Sequence, residues 1–167
     1  MEIHKLVDKA FKRDLSDPSA LNDAFDTLRL LEPENFSLAH EKNKEVRRLS
    51  AKYAAERTDM KMFELNKRAL LFDAPYDFDA AIRYAEWDRE PKKKFYMPRR
   101  KQLLPVVQAM QRLSERKIRI LGVMAPPGVG KTTIELMFMV MEGLKNPDLS
   151  ILMGSHSNSF LRGAYED

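Results

Sequence analysis

The first 90 residues carry apolar side chains at the period of an α-helix. Between the breaks Ser16-Asp17-Pro18 and Glu32-Pro33, apolar residues recur at spacings of three and four, which places them on one helical face. They are Leu21, Ala24, Phe25, Leu28 and Leu31. Further helices are predicted at about residues 37–57 and 62–70, and at 77–87 with Asp77 or Asp79 as its cap. Residues 1–90 are therefore predicted to form a helical N-terminal region.

The pattern changes after Pro91. LLPVVQAMQRLSERK (103–117) predicts another helix, which Pro105 either starts or kinks. IRILGVM (118–124) is a short apolar, β-prone run and predicts a strand buried on both faces. TIELMFMVMEGL (133–144) is apolar nearly all round, as in a helix packed between a sheet and its neighbours. LSILMG (149–154) predicts a second strand.

The order of these elements predicts the fold class. Helix, strand, loop, helix and strand follow one another, as at the start of an α/β sheet with parallel pairing. Two parallel strands cannot cover both faces of the apolar helix at 133–144, so much of its surface is expected to be exposed. The prediction is an α/β fold in which residues 91–167 stop after the second strand.

A glycine-containing loop lies between the first predicted strand and the apolar helix. Its sequence, A-P-P-G-V-G-K-T-T, matches the phosphate-binding pattern G-x-x-x-x-G-K-[ST] from Gly130 onward, with Ala125 at the first position. Glycines let backbone N–H groups turn toward phosphate oxygens, and the following helix adds its partial positive charge. The residues predicted to bind ATP are Ala125, Pro126, Pro127, Gly128, Val129, Gly130, Lys131, Thr132 and Thr133.

Two residues of the loop have distinct predicted roles. Lys131 would reach the β- and γ-phosphates as the catalytic cation, and Thr132 would ligate the Mg²⁺ that accompanies the nucleotide. Residues 91–167 are accordingly predicted to begin a P-loop ATPase domain of the ASCE type. The alternative is a plain glycine turn that joins a strand to a helix.

Hydrolysis needs an acidic partner that the sequence does not supply in a suitable place. A catalytic Asp or Glu is expected at the end of another apolar strand, and no acid after Lys131 stands there. Upstream, ALLFD (69–73) fits superficially, but its neighbours have a helical pattern. His156 follows the second predicted strand and either contacts a phosphate or serves as a turn residue, and Asn158 and Ser159 are predicted helix caps. Nucleotide binding is therefore predicted without turnover by this chain alone.

Charge is concentrated in one segment. The chain has a net charge of +4, yet residues 89–101 hold seven Lys and Arg against one Glu, which leaves 22 basic and 24 acidic residues elsewhere. The lysines at 92–94 either contact DNA phosphates or form a solvated linker. The absence of cysteine, of a secretory apolar segment and of a membrane-spanning run indicates a cytosolic protein without membrane association.

Residues 76–167 resemble the large subunit of tailed-phage terminases, the ATP-driven motors that package DNA. Three stretches carry the resemblance: YDFDAAIRYAEWDREPKKKFYMPRRKQLLPVVQAMQRL, ILGVMAPPGVGKTT and ILMGSHSNSFLRGAYED. The resemblance implies an ATPase that drives double-stranded DNA through a portal protein, working as a homo-oligomeric ring with a small terminase subunit in the bacterial host cytoplasm. The family's second catalytic acids and its metal-dependent nuclease have no counterpart here, so the chain resembles the N-terminal part of such a protein.

The resemblance also implies an adenine-contacting element before the loop. Tyr96, Arg99, Arg100 and Gln102 stand at about the expected place. A Gln side chain can both donate to and accept from an adenine edge, and an Arg can stack on the ring. The alternative is a solvated basic turn that leads into a helix.

Two other functions fit the sequence. One is a helical binding module, or a remnant, whose loop holds nucleotide without hydrolysing it. The other is a different P-loop ATPase, for example a helicase-like protein.

Overall fold

The part of the chain that the structure describes consists of helices connected by turns and by loops. One of these loops, residues 119–126, is called the extended segment below. The computed structural model describes residues 2–152. The helices are α1 (Glu2–Phe11), α2 (Pro18–Leu31), α3 (Phe36–Arg57), α4 (Met60–Asp73), α5 (Phe78–Ala85), α6 (Arg100–Ser114) and α7 (Lys131–Lys145). Short 3-10 turns lie at Pro91–Lys93 and Met97–Arg99.

Local capping signals fix where several helices begin. Asp17, Asn35, Asp59 and Asp77 each accept a hydrogen bond from a backbone N–H in the first turn of α2, α3, α4 and α5, respectively. The predicted start at Asp17-Pro18 and the predicted cap at Asp77 are therefore confirmed. Pro105 lies inside α6, which already begins at Arg100, so Pro105 does not mark the start of that helix.

The first buried cluster contains residues of four helices, α1, α2, α3 and α4. The predicted apolar face of α2 is confirmed, because its residues are buried against α1, α3 and α4. The most completely enclosed members of the cluster are Val7, Leu21, Phe25, Leu28, Leu31, Ala39, Val46, Met62 and Ala69. These helices therefore bury a core that needs no residue beyond α4.

A second buried cluster joins α5, α6 and α7 with one residue of the basic segment. Its buried residues are Phe78, Ile82, Tyr96, Leu103, Val107, Met110, Ile134 and Met141. Phe78 of α5 also meets Phe138 of α7 edge to face, with ring centroids 5.4 Å apart. The second core thus holds α7, and with it the loop before α7, against α5 and α6.

The predicted α/β fold is wrong: within residues 2–152 the structure contains helices and no β-strand. Residues 118–124 and 149–152, which were predicted as strands, do not pair with each other, and positions 153–154 of the second prediction lie outside the described residues. Residues 119–126 take part in no backbone–backbone hydrogen bond among those described. An apolar, β-prone run becomes a strand only when another strand supplies its ladder of hydrogen bonds.

The extended segment nevertheless keeps the alternation of a strand. Leu121 and Val123 pack against the second cluster, whereas Ile120 just before them and Met124 just after them are 89% and 101% exposed, respectively. In α7, Val140 and Leu144 are also exposed, but Ile134 and Met141 are buried in the second cluster, so helices and not strands cover part of its apolar surface. One face of the segment therefore lies on helices and the other lies in solvent.

No helix within residues 2–152 combines the length and the apolar character that crossing a membrane requires.

Candidate phosphate-binding site

The loop before α7 turns through two glycines in the left-handed region. Gly128 has φ +79° and Gly130 has φ +94°, values that glycine adopts without the steric cost paid by other residues. Between them the chain reverses from the extended segment into the first turn of α7. The glycine spacing in the sequence therefore corresponds to a backbone that requires glycine at both positions.

The beginning of α7 presents backbone donors that have no partner among residues 2–152. Gly130 is the N-cap and has no side chain to cap the helix, and the first bond of the helix runs from the Ile134 N–H to the Gly130 carbonyl, at 3.2 Å. The N–H groups of residues 131–133 consequently have no acceptor within the helix. Such a terminus carries a partial positive charge and favours an anion.

Lys131 bends its side chain back across the loop. Its Nζ donates hydrogen bonds to the carbonyl oxygens of Ala125 and Pro126, the latter at 3.1 Å. Thr132 and Thr133 follow in the first turn and are half-buried. An ammonium group therefore lies at the turn that leads into a helix N-terminus, and two hydroxyl-bearing residues follow it in the first helical turn. Positive charge of this kind favours a group with anionic oxygens.

Phe95, from the basic segment, covers one side of this loop. A Cβ placed on Gly130 would overlap the Phe95 ring at Cε2 and Cζ, so the ring lies directly against the glycine. The Arg99 guanidinium lies 5.5 Å from the centroid of the same ring. The structure thus brings the predicted residue Arg99 to the flank of the loop through Phe95, which was not among the predicted site residues.

The other predicted adenine contacts are placed differently. Tyr96 is fully buried and donates its hydroxyl to Asp79 Oδ1 at 2.7 Å. Arg100 forks onto the same carboxylate, with Nε 2.7 Å from Oδ1 and Nη2 2.9 Å from Oδ2. Gln102 is exposed in the first turn of α6. Tyr96 and Arg100 are therefore hydrogen-bonded to Asp79, while the side chains of Arg99 and Gln102 are accessible to solvent.

Glu86 holds the backbone of the basic segment. Its side chain is fully buried, and it accepts hydrogen bonds from the N–H groups of Phe95 at 2.7 Å, Tyr96 at 2.8 Å and Met97 at 3.1 Å. Lys94 adds a bond from its Nζ to the Trp87 carbonyl at 3.1 Å. This acidic residue, just after α5, thus fixes the position of Phe95 and so of the ring on Gly130.

The environment of Asp79 shifts two titrations in opposite directions. Burial opposes ionisation of Asp79, but the hydrogen bonds from Arg100 and Tyr96 outweigh it, so the pKa of the carboxyl group is lowered. Burial and the hydrogen bond to Asp79 raise the pKa of the Tyr96 phenol above its usual value. The folded protein therefore holds Asp79 ionised and Tyr96 neutral.

Tyr96 is expected to make stability fall at alkaline pH. Folding raises the pKa of the Tyr96 phenol above its value in the unfolded chain, which is about 10. The phenol therefore contributes fully to the free energy of unfolding below pH of about 10, and this contribution is lost as the pH rises toward the pKa of the folded state. Above pH of about 10, wild-type stability should fall more steeply than that of Tyr96→Phe, by up to about 1.4 kcal/mol per pH unit. Urea unfolding between pH 8 and 11 measures the difference.

The matched control for that measurement is Tyr76→Phe, which removes a phenol that is 48% exposed. This variant should retain the alkaline loss of the wild-type protein. Equal pH dependence in wild type and Tyr96→Phe would contradict the assignment.

The acidic residues offer no ready-made metal site. Asp73, in the stretch ALLFD, is the last residue of α4 and contacts His40 at 2.7 Å and Arg47 at 2.9 Å, so its helical interpretation is confirmed. Residues 2–152 contain no group of three His, Cys, Asp or Glu placed to hold a metal ion. His156, Asn158 and Ser159 lie outside the described residues.

A separate cleft of about 700 Å³ opens beside His40. The imidazole contacts Asp73 and Glu32, and its ring lies 4.5 Å from that of Phe72 and 4.3 Å from that of Phe36. These polar and aromatic groups are engaged with one another across α3 and α4. The cleft is therefore a weaker candidate site than the loop, where backbone donors have no partner.

Comparison of the chain with protein-family models, curated proteins and solved structures finds no match.

Proposed function

We propose that residues 125–133 bind the phosphate groups of a nucleoside triphosphate, ATP with Mg²⁺. One observation carries the proposal: two left-handed glycines lead into an uncapped helix N-terminus across which Lys131 lies. The helix N–H groups and the Lys131 ammonium belong to the same short loop and first helical turn, and a polyphosphate that displaces the two carbonyl acceptors of Lys131 would satisfy both. The proposal depends on the loop and helix and not on a β-sheet.

The loop residues that carry an N–H group have a part in this proposal together with Arg99 and Gln102, whereas Tyr96 and Arg100, which contact Asp79, have none. The N–H groups of the loop and of residues 131–133 donate to phosphate oxygens, and Lys131 exchanges its carbonyl acceptors for the β- and γ-phosphates. The Thr132 hydroxyl supplies one Mg²⁺ ligand, and Thr133 bonds a further phosphate oxygen. Arg99 contacts the base from its place beside Phe95, and Gln102 joins it at the adenine edge.

For the larger protein we propose the N-terminal part of a terminase large subunit, in which ATP drives the packaging of double-stranded DNA. The resemblance of residues 76–167 supports this, and so does the exposure of Lys92 and Lys93 in the basic segment, where phosphates of DNA can reach them. The portal protein, the small terminase subunit, a homo-oligomeric ring and the bacterial host cytoplasm belong to the same proposal.

A second candidate is a helical binding module whose loop holds nucleotide without turnover. The core of α1–α4 favours it, because all its buried residues come from these four helices and it can form independently of the loop. Release of inorganic phosphate from Mg-ATP separates the two. Binding without release favours the module, and sustained release favours an ATPase, whether a terminase or a helicase-like enzyme.

Lys131→Ala is expected to weaken binding of Mg-ATP about 10- to 100-fold, since a hydrogen bond to a charged group contributes about 1.5–3 kcal/mol. Isothermal titration calorimetry measures the affinity. The control is Lys101→Ala, which removes an exposed lysine in the first turn of α6 and should bind as the wild type does. Equal affinity of Lys131→Ala and wild type, or no binding by wild type, would refute the proposed site.

A further inference from the structure

Two successive contacts connect Glu86, just after α5, with the loop of residues 125–133 before α7. In the first, the Glu86 side chain binds the backbone N–H groups of residues 95–97. In the second, the Phe95 ring lies against the Cα of Gly130. Because Phe95 takes part in both contacts, one through its backbone and one through its side chain, it is the physical link between the basic segment and the loop.

A shift at either contact acts on the other through Phe95. Glu86 is fully buried, so an N–H group that leaves it loses a charged acceptor in a place from which water is excluded. The ring in turn fills the space beside Gly130, so the loop cannot move toward it unless Phe95 moves away. The backbone of residues 95–97 and the loop therefore have linked positions.

We propose that Phe95 is a positioning residue. It couples ligand binding at the loop of residues 125–133 to the hydrogen bonds that the backbone N–H groups of residues 95–97 donate to Glu86. The proposal rests on the proposed function for the identity of the ligand, a polyphosphate, but the linkage itself is a property of the protein alone. Such coupling is reciprocal. A ligand that weakens or strengthens the hydrogen bonds of residues 95–97 to Glu86 therefore binds with an affinity that depends on those hydrogen bonds.

The coupling gives the basic segment a state that depends on the loop. Lys92 and Lys93 are exposed just before Phe95, and Arg99 lies over its ring. When the loop binds phosphate and the ring adjusts, these cationic groups change position with the segment. The exposed positive charge is thereby made responsive to the ligand.

The two loop glycines provide a matched test without any ligand. Alanine at either position has the same unfavourable positive φ, but only at Gly130 does the new Cβ meet the Phe95 ring, whereas at Gly128 nothing lies within 4 Å. Gly130→Ala is expected to accelerate hydrogen exchange at the N–H groups of residues 95–97 about tenfold or more, the effect of overpacking. Gly128→Ala should leave that exchange unchanged.

The double variant Phe95→Ala/Gly130→Ala decides whether the ring carries the effect. In the Phe95→Ala background, adding Gly130→Ala should cause no further acceleration at residues 96–97. Equal acceleration by both glycine variants, or an undiminished effect of Gly130→Ala without the ring, would overturn the coupling. Circular dichroism verifies that each variant retains its helices.

A ligand experiment then separates the coupling from the proposed function. Inorganic tripolyphosphate with Mg²⁺ should change exchange at residues 95–97 in the wild type and in the control Phe36→Ala, whose ring lies beside His40. Phe95→Ala should still bind tripolyphosphate by calorimetry but show no change at residues 96–97. Binding without a response in the wild type refutes the coupling to ligand. Absence of binding refutes the proposed function, and the glycine comparison still decides the linkage.

Discussion

Asp79→Ala is expected to lower the free energy of unfolding by about 3–5 kcal/mol, the range found when one partner of a buried ion pair is removed. Asp79 is 8% exposed and receives a two-pronged contact from Arg100 and the hydroxyl of Tyr96. Arg83 lies 3.5 Å from the same carboxylate. Alanine leaves these donors without their shared acceptor in a partly dry site, so the loss exceeds that of any single hydrogen bond.

Urea denaturation at pH 7 measures the loss, with Asp23→Ala as the control. Asp23 pairs with Arg13 at the surface, where both side chains are about half exposed, and such pairs contribute less than about 1 kcal/mol. The pKa of Asp79 is lowered on folding, so its contribution is present above the unfolded value of about 4 and disappears as pH falls below it. The variant should therefore lose less stability on acidification. A loss at pH 7 no larger than that of the control would contradict the network.

Glu86→Ala is expected to cost about 2–3 kcal/mol, because three backbone N–H groups lose their acceptor and an unsatisfied buried donor costs about 1–3 kcal/mol. The N–H group of Tyr96 is buried, whereas those of Phe95 and Met97 are partly buried and cost less. Glu86→Gln should fall between alanine and wild type, since its amide keeps one oxygen but turns an NH₂ group toward backbone donors.

Thermal and urea unfolding of Glu86→Ala are compared with those of Glu90→Ala. Glu90 is also a glutamate near the basic segment, but it is exposed and pairs only with Lys93 at 3.3 Å among the residues described. Its removal should change stability little. If both variants are equally stable, residues 95–97 are not held by Glu86.

The helices were predictable because their signals are local. The apolar spacing of α2, the proline after Asp17 and the cap at Asp77 lie within the elements that they specify, and the structure confirms them. The extent of α3, Phe36–Arg57, also agrees with the prediction to within a residue. A helix whose apolar spacing and cap lie within its own residues can be predicted from the local sequence alone.

The strand prediction failed because a strand is not a local object. Residues 118–124 have the composition and even the alternation of a strand, with Leu121 and Val123 inward and Ile120 outward. Composition measures how well side chains fit a half-buried pleated surface, whereas the backbone also needs a partner for its hydrogen bonds. In the described chain that partner is missing, and the segment stays extended and unpaired.

The candidate site divides in the same way. The loop could be found because the spacing of Gly128, Gly130 and Lys131 is a short pattern. Phe95 and Glu86 could not, because each acts on residues distant in the sequence and neither belongs to a recognisable motif. A fully buried glutamate bound only to backbone groups leaves no mark in the sequence by which to find it.

The arrangement of the two buried clusters sets the order in which the chain folds as it is synthesised. The most extensive helix contacts join helices that are consecutive in the chain, so they close over short loops, which favours rapid folding. The cluster of α1–α4 can form once residue 73 has left the ribosome. The second cluster needs Ile134 and Met141 beside Phe78, so it waits for α7. The loop before α7 therefore acquires its shape after α1–α4, on a helical base that is already folded.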